Sequence, residues 1–375
     1  MNPICESVRP LCAPRIWEDL SPQFFATFWS LTVYDLSVPS GAYDREVQRL
    51  RTAVQQLNDN RDLQPSKRKK EQDRCTALVD KISDEEKKQK EHTERVMARL
   101  TQERDGWFLC RSAKLAKTET ITQFLQLCLF PRCVFTALDA LFCARFVRVS
   151  PCRNELLNES SCNGVGLTVD LFGCCISCHA QVMHNLKTPN FSTLICYDRI
   201  FCDITYTVTS CTENEANRYG RFLCSMLETV MHWHSSKKVF DDECANYPGF
   251  VTKFRVGNQP SETNDHVDFE NYRHVVHKWH HKIAKALVVC LESQDYVQIR
   301  NALIVLIRIL PYFPVITPLG SVIDRHVETV RMEQKEKRQD LFALGTSYSG
   351  QLKLKKSNMI PESEFHLITK RPVSG

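Results

Sequence analysis

At 375 residues, 43% of them apolar and 25% charged, the chain has the length for two or three domains and the composition of an ordinary globular protein, not of a fibre or a wholly disordered chain. Its formal net charge of +5 is mild, so the overall balance names no polyanionic partner. The opening MNPICESVRP places Glu6, Arg9 and Pro10 where a secretory signal needs an apolar run, ALIVLI from Ala302 to Ile307 is too short to span a bilayer, and 18 cysteines in such a context are expected as reduced thiols of the cytosol or nucleus.

The first organised stretch is WEDLSPQFFATFWSLTVYDLSVP, in which Phe24, Phe25, Phe28, Trp29 and Leu31 share a helical face. Asp19 or Ser21 stands where a cap is needed, and Pro22 suits the first turn. Pro39, Ser40 and Gly41 punctuate the chain. From Tyr43 onward Val47, Leu50, Val54 and Leu57 recur at alternating three- and four-residue steps, the a/d seam of a coiled-coil type helix and the candidate partner-binding surface. Pro65 ends it. A second long helix is expected through Leu78, Ile82, Val96, Met97 and Leu100 to Trp107. Its centre, SDEEKKQKEHTER, has no apolar residue and must stand in solvent or lie on a polar surface. Residues 43–110 therefore read as a projecting helical hairpin. After Thr118 the segments TITQFLQLCLF, CVFTALDALFCARF, NRYGRFLCSMLETVMHWH, DFENYRHVVHKWHHKIAKALVVCLE and YVQIRNALIVLIRILPYFP have helical periodicity, and only ITYTVTS, Ile204–Ser210, looks strand-like. The expected fold class is all-α, an array of packed helical pairs.

Catalytic signatures do not emerge: the chain has no glycine-rich phosphate loop, no G-x-S-x-G and no H-E-x-x-H. CISCH, Cys175–His179, has the spacing of a c-type haem attachment, but that chemistry belongs to exported or organellar compartments. His274, His277 and His281 fall on one helix face, yet a tetrahedral zinc site needs further ligands, so histidines of an amphipathic helix are the preferred reading. Cys143, Cys196, Cys202, Cys211 and Cys224 read as small apolar core residues. Neither a catalytic residue, a cofactor nor a metal is expected. Lys67, Arg68, Lys69 and Lys70 form one basic block, Lys87, Lys88 and Lys90 a second, and Lys353, Lys355 and Lys356 a third. The first and third are the candidate RNA contacts, set against the simpler reading of solvated faces. An adaptor that holds RNA through these blocks, and a metal or thiol protein built on Cys175, Cys178 and the histidine helix, stand as alternatives to a scaffold.

The ordered motifs WEDLSPQFFATFWSLTVYDL, FLQLCLFPRCVFTALDALFCARFV, KTPNFSTLICYDRIF, SCTENEANRYGRFLCSMLETVMHWH, NYRHVVHKWHHKI, IRNALIVLIRILPYFP and LGTSYSGQLKLKKSNMIPESEFH resemble the THO complex subunit 2 family, from Trp17 to Phe365. These are large scaffolds of the THO/TREX messenger-RNA export assembly, and residues 1–16 lie outside the resemblance. The resemblance implies a piece of a longer, nuclear, non-enzymatic subunit that couples transcription and splicing to mRNA export. Its implied partners are the other THO subunits, a DEAD-box export helicase and mRNA. It also implies that 17–42 ends an MIF4G-like helical domain, that 43–110 is the hairpin, that 111–345 is a C-terminal helical array, and that 346–375 is a basic tail. Packing motifs carry the resemblance, so no functional residue transfers.

In that family ARFV runs within a few residues into KTPNFS, whereas here Val149–Gln181 intervenes. Without it, Val182, Met183 and Leu186 fall three, four and seven places after Phe146, on one apolar helical face. Five of the 18 cysteines, and the Asn158-Glu159-Ser160 sequon, crowd into this segment. Val149-Ser150 can be encoded by GTGAGT, a splice donor, and Gln181 by CAG, the end of an acceptor. The segment is expected to be an unstructured insertion, read from an intron.

Overall fold

The computed structural model describes residues 3–59, 64–109, 114–147, 183–184, 186–251 and 266–366, and the side chains of 114–117 are left aside. The expected insertion at 149–181, with its CISCH motif and sequon, lies outside the described residues. The principal helices are α1 (Pro22–Ser30), α2 (Ser40–Asp59), α3 (Pro65–Glu103), α4 (Lys114–Phe124), α5 (Ala137–Val147), α6 (Thr193–Cys202), α7 (Ile204–Ser210), α8 (Glu213–His234), α9 (Phe269–Glu292), α10 (Tyr296–Ile309), α11 (Thr317–Gln334) and α12 (Gln339–Lys355). Extended pairing among the described residues amounts to the isolated bridges Leu20–Phe108, Val251–His266 and Ile316–Ile360. The fold is all-α. The chain divides into two compact units, one centred on Thr32–Gln102, the other formed by the residues before and after it.

The smaller unit holds the hairpin. Asn58, near the end of α2, accepts from Gln72, near the start of α3, at 2.5 Å, while Ser40 and Tyr43 lie beside Glu86, so the two helices run antiparallel. Leu50 is 4% exposed and Val47, Val54 and Leu57 are half-buried, so the apolar seam is withdrawn from solvent. The apolar-free stretch resolves in favour of a polar surface. Its inward face runs through Glu86, Gln89, His92 and Thr93, and Gln89 Nε2 donates to the Tyr34 carbonyl at 2.5 Å while His92 Nε2 lies 2.7 Å from Asp35 Oδ1. Burial works to raise the Asp35 carboxyl, but hydrogen bonds from His92 and Thr32 hold it below the usual carboxylate range. The unit is thus apolar at its Leu50 level and hydrogen-bonded through Gln89 and His92. Leu50→Asp places a charge at an occluded core position, and a loss of roughly 3–5 kcal/mol is expected. Hydrogen exchange checks it: α2 amides should lose protection while those of α8 and α10 keep theirs.

In the larger unit, Ser21 caps α1 by accepting from the Phe24 N–H at 3.1 Å, with Pro22 in the first turn. That geometry turns Phe24 and Phe28 inward, where Phe24 meets Phe108 at 5.0 Å and Phe28 meets Phe146 of α5 at 5.0 Å between ring centres. A second aromatic core gathers Tyr197, Trp233, Phe240, Phe250, Tyr272 and Trp279. Between them α8 packs on α5 and α10, α9 on α10, and α11 on α12. Gly220 permits the closest approach, because a Cβ there would sit 2.8 Å from the Arg308 Cβ of α10.

Two sequence expectations need correction. ITYTVTS is helix α7, not strand: Ile204 and Val208 are buried one turn apart, and the fully buried Asn301 side chain donates to the Val208 and Cys211 carbonyls at 2.9 and 2.6 Å, satisfying the helix end from a distant part of the chain. The 346–375 tail does not start where expected. Helix α12 runs through that boundary with Tyr348 and Leu352 fully buried, and Phe365 is buried beyond it.

Candidate functional site

Lys67, Arg68, Lys69 and Lys70 occupy the start of α3, with Lys67, Lys69 and Lys70 exposed and Arg68 half-buried. That first turn contains no acidic residue. Cations at a helix N-terminus oppose the macrodipole, so this block is a small local cost to the helix rather than a device that stabilises it. The middle block is partly neutralised, since Lys90 pairs with Glu86 at 2.7 Å.

The third block does not survive as a surface cluster. Lys355 Nζ donates to the Leu310 and Pro311 carbonyls just past the end of α10, and burial pushes its pKa down to about 8. Lys353 and Lys356 are both exposed, and Lys356 pairs with Asp324 at 2.8 Å. Of the RNA candidates on that segment, two are thus engaged within the chain. Of the partner-binding candidates, Leu50 is buried and Val47, Val54 and Leu57 are half-buried.

The histidine helix is richer than its sequence. His277 Nε2 lies 2.6 Å from Glu362 Oε1 and 3.1 Å from His281 Nε2, and His281 Nε2 lies 3.5 Å from the same carboxylate oxygen. The His366 ring stacks on His277 at 3.9 Å and approaches His274 at 5.5 Å. Among the described residues, the sets His277, His281, Glu362 and His274, His277, His366 are the donor groups that could hold a divalent ion. In the first set each donor already has a hydrogen-bonding neighbour. Hydrogen bonding to His277 holds the Glu362 carboxyl low, and burial lowers the His277 pKa. The group works as a clasp on the chain's own residues 362–366: the Phe365 carbonyl accepts from His234 at 2.9 Å and from Arg273 Nε at 3.0 Å, and its ring stacks on His234 at 4.2 Å. Glu362 and His366 were missed because nothing in the local pattern ties them to a helix so far upstream.

Cys143, Cys196 and Cys211 are buried as expected, with thiols pushed up by burial. Cys224 is half-buried. Cys202 departs from the expectation: it is exposed, with Sγ 2.8 Å from Lys282 Nζ and 3.6 Å from Asp198 Oδ2. Its pKa is nonetheless raised, burial first among the causes, so it is not an activated thiolate.

Comparison with known proteins gives a consistent picture. A family profile described as transcription factor/nuclear export subunit protein 2 matches residues 17–150 and 177–352. THO complex subunit 2 of Homo sapiens is 52% identical over 367 residues, covering 98% of this chain and 21% of that protein. THO complex subunit 2 of Arabidopsis thaliana is 33% identical over 368 residues, covering 97% of this chain and 18% of that protein, and that of Saccharomyces cerevisiae is 22% identical over 352 residues. The chain spans about a fifth of the length of its human relative.

Proposed function

The chain belongs to the THO complex subunit 2 family, and from that premise we propose that it serves as a non-enzymatic scaffold segment of a nuclear THO complex. The observation that carries this is the 52% identity maintained over 98% of the chain. A helical architecture with two aromatic cores supports it, since the side chains that recur through the motifs are those that pack helices. On this reading the segment holds other THO subunits on rigid helical faces, within a TREX-type assembly that couples transcription and splicing to mRNA export and engages a DEAD-box helicase. The hairpin is the element proposed to order a partner surface. Leu50→Asp with Val54→Asp is expected to cut recovery of co-purifying THO subunits from nuclear extract at least about fivefold while α8 and α10 stay protected. Unchanged recovery removes the hairpin from the assembly surface. Loss of all recovery by a variant confined to α8 would relocate it.

The placement of this block favours a second reading, direct RNA contact, because Lys67, Lys69 and Lys70 stand exposed at the start of α3, where cations oppose the macrodipole. Single-stranded RNA binding is expected to weaken with salt by about 0.7 log units per log unit for each phosphate neutralised. Changing all four to Gln should flatten the slope by about 2–3 units. An unchanged slope assigns the block to solvation alone.

A further inference from the structure

Met183, His184 and Leu186–Thr188 carry the hydrogen-bond pattern that closes an α-helix. The Thr188 N–H donates to the Met183 carbonyl at 3.2 Å, and inside that bond the Lys187 N–H donates to the His184 carbonyl at 2.8 Å. Lys187 has φ +48, in the left-handed region. A six-to-one bond enclosing a five-to-two bond about a left-handed residue is the Schellman arrangement that terminates an α-helix. By its register Met183 and His184 lie in the last turn, Leu186 is the cap and Lys187 the left-handed residue beyond it. A terminator presupposes a helix before it, since a single turn does not sustain itself.

That helix is α5. The Met183 N–H donates to the Phe146 carbonyl at 3.2 Å. Joined across Val149–Gln181, the order becomes Phe146, Val147, Arg148, Val182, Met183, and this bond connects an N–H to the carbonyl four residues earlier, the repeating bond of an α-helix. The buried face agrees. Phe146 and Met183 are 0% exposed and Leu186 is 8% exposed, and in the joined order they stand at i, i+4 and i+7. His184 completes the seat: it is 3% exposed, its Nδ1 lies 3.1 Å from Thr193 Oγ1 and its Nε2 lies 2.9 Å from the Glu243 carbonyl. The family profile stops at 150 and resumes at 177, within the same segment.

We infer that Val149–Gln181 is a translated intron set into one helix, and that the chain without it is the form in which α5 continues through Leu186 to its own cap. The flanking residues allow it at the level of codons, GTGAGT for Val149-Ser150 and CAG for Gln181, and the reading frame is open throughout. The inference does not depend on the proposed scaffold role, because it concerns the continuity of a helix.

Genomic and transcript sequence across Arg148 and Val182, together with thermal unfolding of three chains, tests it. The chains are the full one, one lacking 149–181, and one lacking 150–181. The genome should run without interruption through the segment into both flanks, and mature messages should include the shorter form. The 149–181 deletion should melt at least about 5 °C above the full chain. The 150–181 deletion leaves one extra residue, rotates Met183 and Leu186 by about 100° around the helix, and should forfeit that gain. Messages that uniformly retain the segment, a segment coded as a separate exon, a 149–181 deletion that melts lower or does not fold, or equal gains from both deletions each overturn the inference.

Discussion

Acidification from pH 7.5 to 5.5 is expected to remove roughly 2.7 kcal/mol of folding free energy through two histidines alone. His184 and His280 are 3% and 0% exposed, and burial pushes their pKa values down to about 4 and about 3. In the unfolded chain each takes up a proton near pH 6.5, while in the folded chain each stays neutral. Folding therefore loses nothing above that value. Below it, each histidine costs about 1.4 kcal/mol per pH unit until its folded pKa is reached. The two differ in a way that separates them by experiment. His184 is bonded at both ring nitrogens, whereas neither nitrogen of His280 has a partner among the described residues, and its ring lies 5.4 Å from Phe313 and 5.1 Å from Phe365. The Lys355 ammonium nearby opposes its protonation further. His280→Phe should raise stability at pH 7.5 by about 1–3 kcal/mol, by removing two unpaired buried polar atoms, and should lower the pH slope by one proton. Urea titrations at half-unit pH steps measure both. A variant that is destabilised at pH 7.5 and keeps the parent slope would show that His280 is neither unpaired nor neutral.

The parts of this fold that were legible in the sequence are those whose cause is local. Ser21 caps α1 because a serine before a proline and an apolar run supplies the acceptor that the helix start lacks. The two hairpin helices follow from a seam at three- and four-residue steps and from Pro65 at the start of α3. What stayed hidden has its cause elsewhere in the chain. The β-branched residues of α7 favour a strand by propensity, and Asn301 of α10 overrides it by bonding two carbonyls at the helix end. The polar stretch of α3 leaves solvent and a polar surface equally open until Tyr34 and Asp35 supply its partners. Lys355 and Lys356 read as surface charge until the end of α10 and Asp324 claim them. The histidine clasp is the same case: three of its members share a helix face, and the two that decide its chemistry, Glu362 and His366, arrive from a segment with no periodic signal. A candidate site composed of distant partners can be suspected from its helical half and is completed by packing.

Arg132→Met is expected to cost roughly 3–5 kcal/mol, among the largest losses available to a single substitution in this chain, because it leaves several buried acceptors without their donor. The Arg132 side chain is 6% exposed, with Nε 2.8 Å from Asp139 Oδ1. Its other two nitrogens donate to the Phe28 and Leu31 carbonyls, the latter at 2.5 Å. Those carbonyls belong to the last turn and cap of α1, where a helix has no internal donors left and where a cation is favoured by the macrodipole. Asp139 stands in the first turn of α5 and also accepts from the Thr136 hydroxyl at 2.6 Å, so one guanidinium joins the end of α1 to the beginning of α5. The ring of Phe142 lies 3.8 Å beneath it and supplies the remaining face. Met fills much of the volume but returns none of these bonds. Arg132→Lys keeps the charge and loses the fork that reaches three acceptors at once, so an intermediate loss is expected. Arg132→Met combined with Asp139→Leu should recover part of the loss, since the carboxylate stranded by the first change is gone. Chemical denaturation of the three variants orders them. Loss of less than about 1 kcal/mol in the Met variant would mean that the α1 carbonyls and Asp139 find water when the guanidinium is removed, and that the aromatic core formed by Phe24, Phe28 and Phe146 holds α1 on α5 without it.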